Sequence, residues 1–264
     1  MDNILDKIVQ RKLQEVSERK GLHSMKLLES APLFGRQTLS LETFVRDPSR
    51  SGIIAEIKRR SPSKGVINSN ISVAGVATGY RDAGASAISV LTDGDFFGGS
   101  EEDLMQVRQI VEIPVLRKEF IIDEYQIVES RSIGADAVLL IAAILTPTQL
   151  KNFVRLAHAL SMEVLLEIHG ENELDKAVQA EPDLIGVNNR DLKTFDLSVD
   201  TSRKLSSMIP NVFAKVSESG IESPAVIQEL KQLGYEGFLI GQTFMQAKDP
   251  GCAAKDFIGS LKKT

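Results

Sequence analysis

Cysteine is nearly absent from this 264-residue chain, histidine is scarce, and basic residues are in deficit. Cys252 has no partner for an intramolecular disulfide, and a zinc site built from paired cysteines is excluded. His23, His158 and His169 are spaced far from any metal-ligand pattern, so no metal is expected. Acidic side chains number 36 and basic ones 31, for a formal net charge of -5 and a pI of about 5.4. A chain that lives on nucleic-acid phosphates carries a basic excess instead, and nucleic acid is not an expected partner. No run is apolar enough to span a bilayer, and the opening MDNILDKIVQRKLQEVSERKG carries charges where a signal peptide needs an apolar centre. The expected location is the cytoplasm, with no membrane partner.

What is present is a repeat. The composition, 42% apolar and 25% charged, supports a large core. From residue 50 onward, short β-branched or leucine-rich runs alternate with amphipathic runs of helical length, the pattern of parallel βα units. Eight strands are expected: IIAEIK from Ile53, AISVLT from Ala87, PVLRKEF from Pro114, AVLLIAA from Ala137, EVLLEIH from Glu163, LIGVNN from Leu184, VFAKVSES from Val212 and GFLIG from Gly237. Gly84, Gly134 and Gly234 each stand where a helix ends shortly before a strand, the left-handed position that glycine takes without a Cβ clash. Ser72, Asp123, Thr146 and Ser223 read as helix N-caps, with Pro147 and Pro224 next at the first helical position. Such a set can close into a barrel or spread as an open sheet. No GxGxxG or Walker loop follows the first strand, which favours an α/β fold of the (β/α)8 TIM-barrel type over a nucleotide-binding open sheet. Residues 1–264 are then one barrel domain, with residues 1–48 as an N-terminal helical extension. Ile4, Leu5, Ile8, Val9, Leu13 and Val16 recur there at helical spacing, a stripe that suits docking on the barrel and also suits a partner or a dimer. A monomer is the simpler expectation.

Charges stand where a core should be. Glu56 and Lys58 lie two apart on the first strand and so share a face. The third strand ends in Lys118, Glu119 and Phe120; the fifth carries Glu167; the sixth ends in Asn188, Asn189 and Arg190; the seventh ends in Ser217, Glu218 and Ser219. One such residue is an ordinary ion pair or rim group, but desolvating charges on five strands is costly unless they pair or serve a ligand. In a barrel the C-terminal strand ends form the active face. Gly220 and Gly241, after the seventh and eighth strands, fall where barrels hold phosphate on backbone N–H groups, and each alone also reads as a tight turn. Lys58, Arg59, Arg60 and Lys64 would make a positive mouth, with Gly65 allowing loop movement, and that field suits an anionic sugar phosphate.

With these residues in view, the chain resembles the indole-3-glycerol-phosphate synthases of tryptophan biosynthesis. AEIKRRSPSKG, LTDGDFFGGS, VLRKEFIIDEYQI, AVLLIAAIL, LLEIH, GVNNRDL, VSESGI and LIGQTFM follow that family's motifs in order along essentially the whole chain. The resemblance implies a metal-free, cofactor-free ring closure of 1-(2-carboxyphenylamino)-1-deoxyribulose 5-phosphate, releasing carbon dioxide and water. It implies Lys118 as the general acid at the substrate carbonyl and Lys58 at the anthranilate carboxylate. Glu167 then serves as acid/base for dehydration, with Glu56 beside it, and Asn188 and Glu218 face the polar middle of the substrate. It assigns substrate binding to Ser61, Phe97, Phe120, Leu139, Arg190, Ser219, Gly220, Leu239, Gly241 and Gln242. Among these, Ser61, Gly220 and Gly241 face the phosphate, while Phe97, Phe120 and Leu139 hold the aromatic ring.

Two positions depart from the family pattern. Gln242 stands where many members carry a small residue, and Gly98 replaces a polar residue, which implies a freer loop beside Phe97. The chain ends soon after the eighth helical run, so no fused isomerase or amidotransferase domain is expected. A phosphoribosylanthranilate isomerase would need a cysteine at a strand end, and Cys252 lies beyond the eighth strand. A non-catalytic barrel would tolerate losing Glu56, Lys58, Lys118 and Glu167, and all four are present.

Overall fold

The computed structural model describes residues 4–191 and 194–261, and all eight expected strands are there. They are β1 (Ile53–Ile57), β2 (Ala87–Leu91), β3 (Val115–Lys118), β4 (Ala137–Ile141), β5 (Glu163–Ile168), β6 (Leu184–Asn188), β7 (Ala214–Glu218) and β8 (Gly237–Ile240). Each pairs in parallel with its neighbours in chain order, and β8 returns to β1 to close the barrel. The seventh strand starts two residues later than expected, because Phe213 N–H turns back to the Pro210 carbonyl and leaves Val212 exposed. The third strand stops at Lys118, so Glu119 and Phe120 belong to the loop.

The local signals act as read, with one exception. Ser72, Asp123 and Thr146 accept backbone N–H groups at their helix starts, the last two in reciprocal capping boxes with Gln126 and Gln149. Ser223 occupies the cap position, but its side chain makes no capping bond; Pro224 at the first helical position needs no N–H partner. Gly84, Gly134 and Gly234 have φ of 89°, 93° and 88°, the left-handed region.

Alternation along the strands sorts the residues between two cores. Ile54, Ala87, Leu116, Ala137, Leu165, Leu184, Ala214 and Val216 fill the barrel, while the opposite faces pack beneath the helices. The N-terminal extension contributes α1 (Ile4–Leu22), α2 (Met25–Glu29) and α3 (Leu41–Arg46). Leu41 and Val45 of α3 join the interior cluster at the strand starts. Asp136, fully buried just before β4, ties this end together: one oxygen accepts from Arg36 (2.6 Å) and Leu39 N–H (2.8 Å), the other from Arg108 (2.5 Å) and Val115 N–H (2.8 Å). Among the described residues, no helix is long and apolar enough to cross a membrane.

Candidate active site

At the strand C-termini the inward positions stop being aliphatic. Register makes Leu91 the neighbour of Lys118, Ile141 of Glu167, and Asn188 of Glu218, so charged groups far apart in sequence arrive on one inner rim. One cavity there is lined by Glu56, Lys58, Ser61, Phe97, Lys118, Phe120, Leu139, Glu167, Asn188, Arg190, Glu218, Ser219, Gly220, Leu239, Gly241 and Gln242, every site residue read from the sequence. Going round the ring, Phe97 and Phe120 follow β2 and β3 and Leu139 lies within β4, while Ser61, Gly220 and Gly241 follow β1, β7 and β8. The pocket is apolar on one side and lined with hydroxyl and backbone donors on the other. The Phe97 and Phe120 rings lie 5.8 Å apart at 38°.

Lys118 is the centre. Its Nζ donates to Glu167 Oε2 (2.8 Å) and Glu218 Oε2 (2.6 Å). Burial works against that ammonium, but the two carboxylates outweigh it and raise its pKa well above the ordinary lysine value. One largely enclosed ammonium between two buried carboxylates neutralises one of them, and the two separate. Burial also opposes the charge on Glu167, yet Lys118 and His169 hold it well below the usual carboxylate range. Glu218 has the same lysine but, among the described residues, no second cation; burial and the ionised Glu167 push it up to about 7. His169 itself is pulled down by burial and pushed up to about 10 by Glu167 and Glu173, which face its ring nitrogens at 3.3 and 3.5 Å. The second lysine, Lys58, pairs with Glu56 at 2.5 Å.

Several polar residues counted at the mouth do other work. Arg59 makes a bidentate pair with Asp103 and donates to the Gly98 carbonyl (2.9 Å); Arg60 donates to the carbonyls of Gly94 (2.6 Å) and Asp95 (2.5 Å). Both arginines tie down the loop after β2, so of the expected positive mouth only Lys58 lines the cavity, where Arg190 joins it. That loop is also not freer for having glycine at 98. Gly98, at φ 67°, donates to the Gly94 carbonyl and accepts from Arg59. Lys64 is exposed at the tip of a two-stranded hairpin, Arg60–Ser61 with Gly65–Val66. Asn189 is the outward alternate of the sixth strand end: its Nδ2 donates to Ser217 Oγ and the Ser219 carbonyl, both at 3.0 Å. It thereby braces Ser219 and Gly220, which take φ of 67° and 74°; a non-glycine residue in that region is uncommon and is concentrated at functional loops.

The part the sequence reading missed is the roof. Ile4, Leu5 and Ile8 of α1 line the cavity, so the extension contributes to the site as well as docking on the barrel. It is held by Lys12, a charge inside the apolar stripe, whose buried Nζ meets Glu15 (2.7 Å), Glu119 (3.0 Å) and Asp93 (3.1 Å). Asp93 in turn accepts from the N–H groups of Phe96 and Phe97, coupling the roof to the aromatic wall. Leu13, predicted in the stripe, is 52% exposed instead. Lys12→Met leaves Asp93 buried without its cation and Glu119 with Arg117 alone, at 4.0 Å, a loss of about 3–5 kcal/mol for a broken buried pair. The expected result is an undocked α1, seen as faster hydrogen exchange in residues 4–22 with protected barrel strands, and a KM raised about tenfold.

As for metals, the carboxylates of Glu42, Glu163 and Asp183 come within 4.8 Å of one another, but at the strand starts, away from this cavity. Glu163 already accepts from Glu42 N–H, Asp183 accepts from Val164 N–H and His158, and Glu42 pairs with Arg46 at 3.0 Å.

Comparison with known proteins places this geometry. Residues 5–257 match the family model described as indole-3-glycerol phosphate synthase. A protein of that name from Bacteroides thetaiotaomicron is 43% identical over 262 residues, covering 99% of this chain and 100% of its own. One from Neisseria gonorrhoeae is 45% identical over 256 residues, covering 95% and 97%. Among solved structures, an N-acetylmannosamine-6-phosphate 2-epimerase from Clostridium perfringens superposes with a TM-score of 0.63 at 14% identity over 84% of this chain and 97% of its own, a likeness of fold alone. Identity of this order over nearly the full length of both chains means that the chain belongs to the indole-3-glycerol phosphate synthase family.

Proposed function

We propose that the chain is a carboxy-lyase of tryptophan biosynthesis that closes 1-(2-carboxyphenylamino)-1-deoxyribulose 5-phosphate to indole-3-glycerol phosphate in this cavity. The observation that carries the assignment of roles is the single ammonium of Lys118 seated between Glu167 and Glu218. The carboxyphenyl ring lies against Phe97, Phe120 and Leu139, and the phosphate lies toward Ser61, Gly220 and Gly241, with Ser219, Leu239 and Gln242 around it. Arg190, which has no carboxylate partner among the described residues, adds a positive charge at the mouth.

In the condensation, the ring carbon bearing the carboxylate attacks the ketone carbon. Lys118 gives its proton to the carbonyl oxygen, which would otherwise become an alkoxide. Even a lysine raised by two carboxylates is acidic enough for that, because an alcohol is a weaker acid still. Such acid catalysis contributes about 10² to 10⁴ in rate. Lys58 holds the anthranilate carboxylate; carbon dioxide then leaves, and its bonding pair restores the aromatic ring. Orientation of the two carbons is the protein's main task in this step. In the dehydration the new hydroxyl departs as water while the adjacent C1 carbon of the former ribulose loses a proton. Opposed pKa values divide that work: ionised Glu167 takes the proton and protonated Glu218 supplies one to the hydroxyl. Glu56 and Asn188 line the same cavity. An isomerase reading gains nothing from Cys252, which is exposed on the helix Pro250–Leu261.

Production of indole fluorescence from the carboxyphenylamino substrate tests this directly. The chain has no tryptophan, so product is read against three tyrosines only. Because Glu218 works as the protonated form, kcat/KM is expected to fall as pH rises through about 7. A profile flat from about pH 6 to 9 removes Glu218 as the acid.

A further inference from the structure

We infer that Gly186 is a positioning residue for this reaction: a side-chain-free slot in β6 that sets where the Glu218 carboxylate stands against Lys118. The inference rests on the reading of Glu218 as a group that meets substrate.

Gly186 sits in the middle of LIGVN, a strand otherwise built of residues with large or polar side chains, and its register neighbours are Glu167 on one side and Val216 on the other. Its φ is not in the left-handed region, so the backbone itself would accept alanine. A glycine inside a strand weakens it, and close approach of another group is a common reason to find one there. Here the approaching group is the Glu218 side chain, which leans across β6. A Cβ at position 186 would come closer than 3.0 Å to Glu218 Oε1, a separation that real Cβ atoms essentially never show, and would also sit 3.2 Å from Leu165 Cδ1.

The two oxygens of Glu218 are thereby placed by different means. Oε2 accepts from Lys118, while Oε1 is buried, has no hydrogen-bond partner among the described residues and occupies the space above Gly186. One bond and one steric pocket define the orientation of a carboxylate that is 1% exposed. The overlap is with the far end of a side chain and not with backbone, which makes the consequence specific: alanine displaces the carboxylate while the strand keeps its register. Gly237 is a useful contrast, since a Cβ there would meet the Val216 side chain and disturb packing only.

The test is a cycle of Gly186→Ala, Glu218→Asp and the double variant, with Glu218→Gln as reference, assayed for kcat and KM by product fluorescence and for melting temperature. Gly186→Ala is expected to lower kcat about tenfold to a hundredfold, the scale of an ångström-sized misplacement, with KM changed less than about threefold. Aspartate is one methylene shorter and withdraws from the slot, so adding Gly186→Ala in the Glu218→Asp background is expected to change kcat by less than about twofold. Equal losses in both backgrounds, or a Gly186→Ala enzyme at wild-type turnover, overturn the slot. Should Gly186→Ala fail to fold, the double variant is expected to recover the fold; if it does not, the clash lies with Leu165 and the inference is wrong. Glu218→Gln at wild-type turnover overturns the role of Glu218 itself and the slot with it. A crippled Glu218→Gln beside an intact Gly186→Ala overturns only the slot.

Discussion

Lys118→Met is expected to cost about 10² to 10⁴ in turnover while leaving a folded enzyme that still takes up substrate. Methionine keeps most of the length and apolar stem of lysine but carries no proton, so the attack on the ketone must proceed toward an unprotected alkoxide. The fold is expected to survive for a reason specific to this site. Removing one partner of a buried ion pair ordinarily costs about 3–5 kcal/mol, because the other charge is left uncompensated. Here Glu218, pushed up to about 7, takes a proton readily, and Glu167 keeps His169 at 3.3 Å. Steady-state rates, a substrate titration under single-turnover conditions and a melting curve separate the two effects. Turnover within about tenfold of the parent enzyme would falsify Lys118 as the general acid.

The largest loss of stability is expected at the other end of the barrel. Asp136→Ala strips the acceptor from four donors, the partly buried Arg36 and Leu39 N–H and the buried Arg108 and Val115 N–H, and leaves Arg108 without the carboxylate it meets at 2.5 Å. A broken buried pair with its stranded partner costs about 3–5 kcal/mol, enough to remove a large part of a domain's margin. Asp136→Asn is expected to lose less, since the amide retains one accepting oxygen and only two of the four donors lose theirs. Both are read from denaturant midpoints, and kcat of the folded fraction is expected to be unchanged because Asp136 precedes β4 at the end away from the cavity. A loss for the alanine variant below about 1 kcal/mol would show that these donors find other partners.

The two residues differ in how legible they are in the sequence. Lys118 stands out as a charge at the end of an apolar strand and as part of a family motif, whereas Asp136 sits in GADAVLL and looks like an ordinary loop acid. Its partners lie 21 to 100 residues away, a range at which spacing carries no signal. Lys12 makes the same point, since a lysine within an apolar stripe reads as a solvated face. It is instead 1% exposed against Asp93 and Glu119, because the acids that neutralise it arrive from strand ends far along the chain. Arg59 and Arg60 erred in the opposite direction, being counted toward ligand when neighbouring carbonyls and Asp103 had already claimed them.

What the sequence determined by itself is whatever depends on near neighbours: eight alternations of strand and helix, the glycines and caps that punctuate them, and a set of charged positions at strand ends. These follow from side-chain periodicity and local backbone sterics, which act over a few residues. Tertiary structure alone decided which charges converge and in what ionisation state. Closing the ring turns Lys118, Glu167 and Glu218 inward and Asn189 outward, and it sets one ammonium 2.8 and 2.6 Å from carboxylates 49 and 100 residues away. With a single cation between two buried acids, one stays ionised and the other holds a proton, a division set by distance and burial.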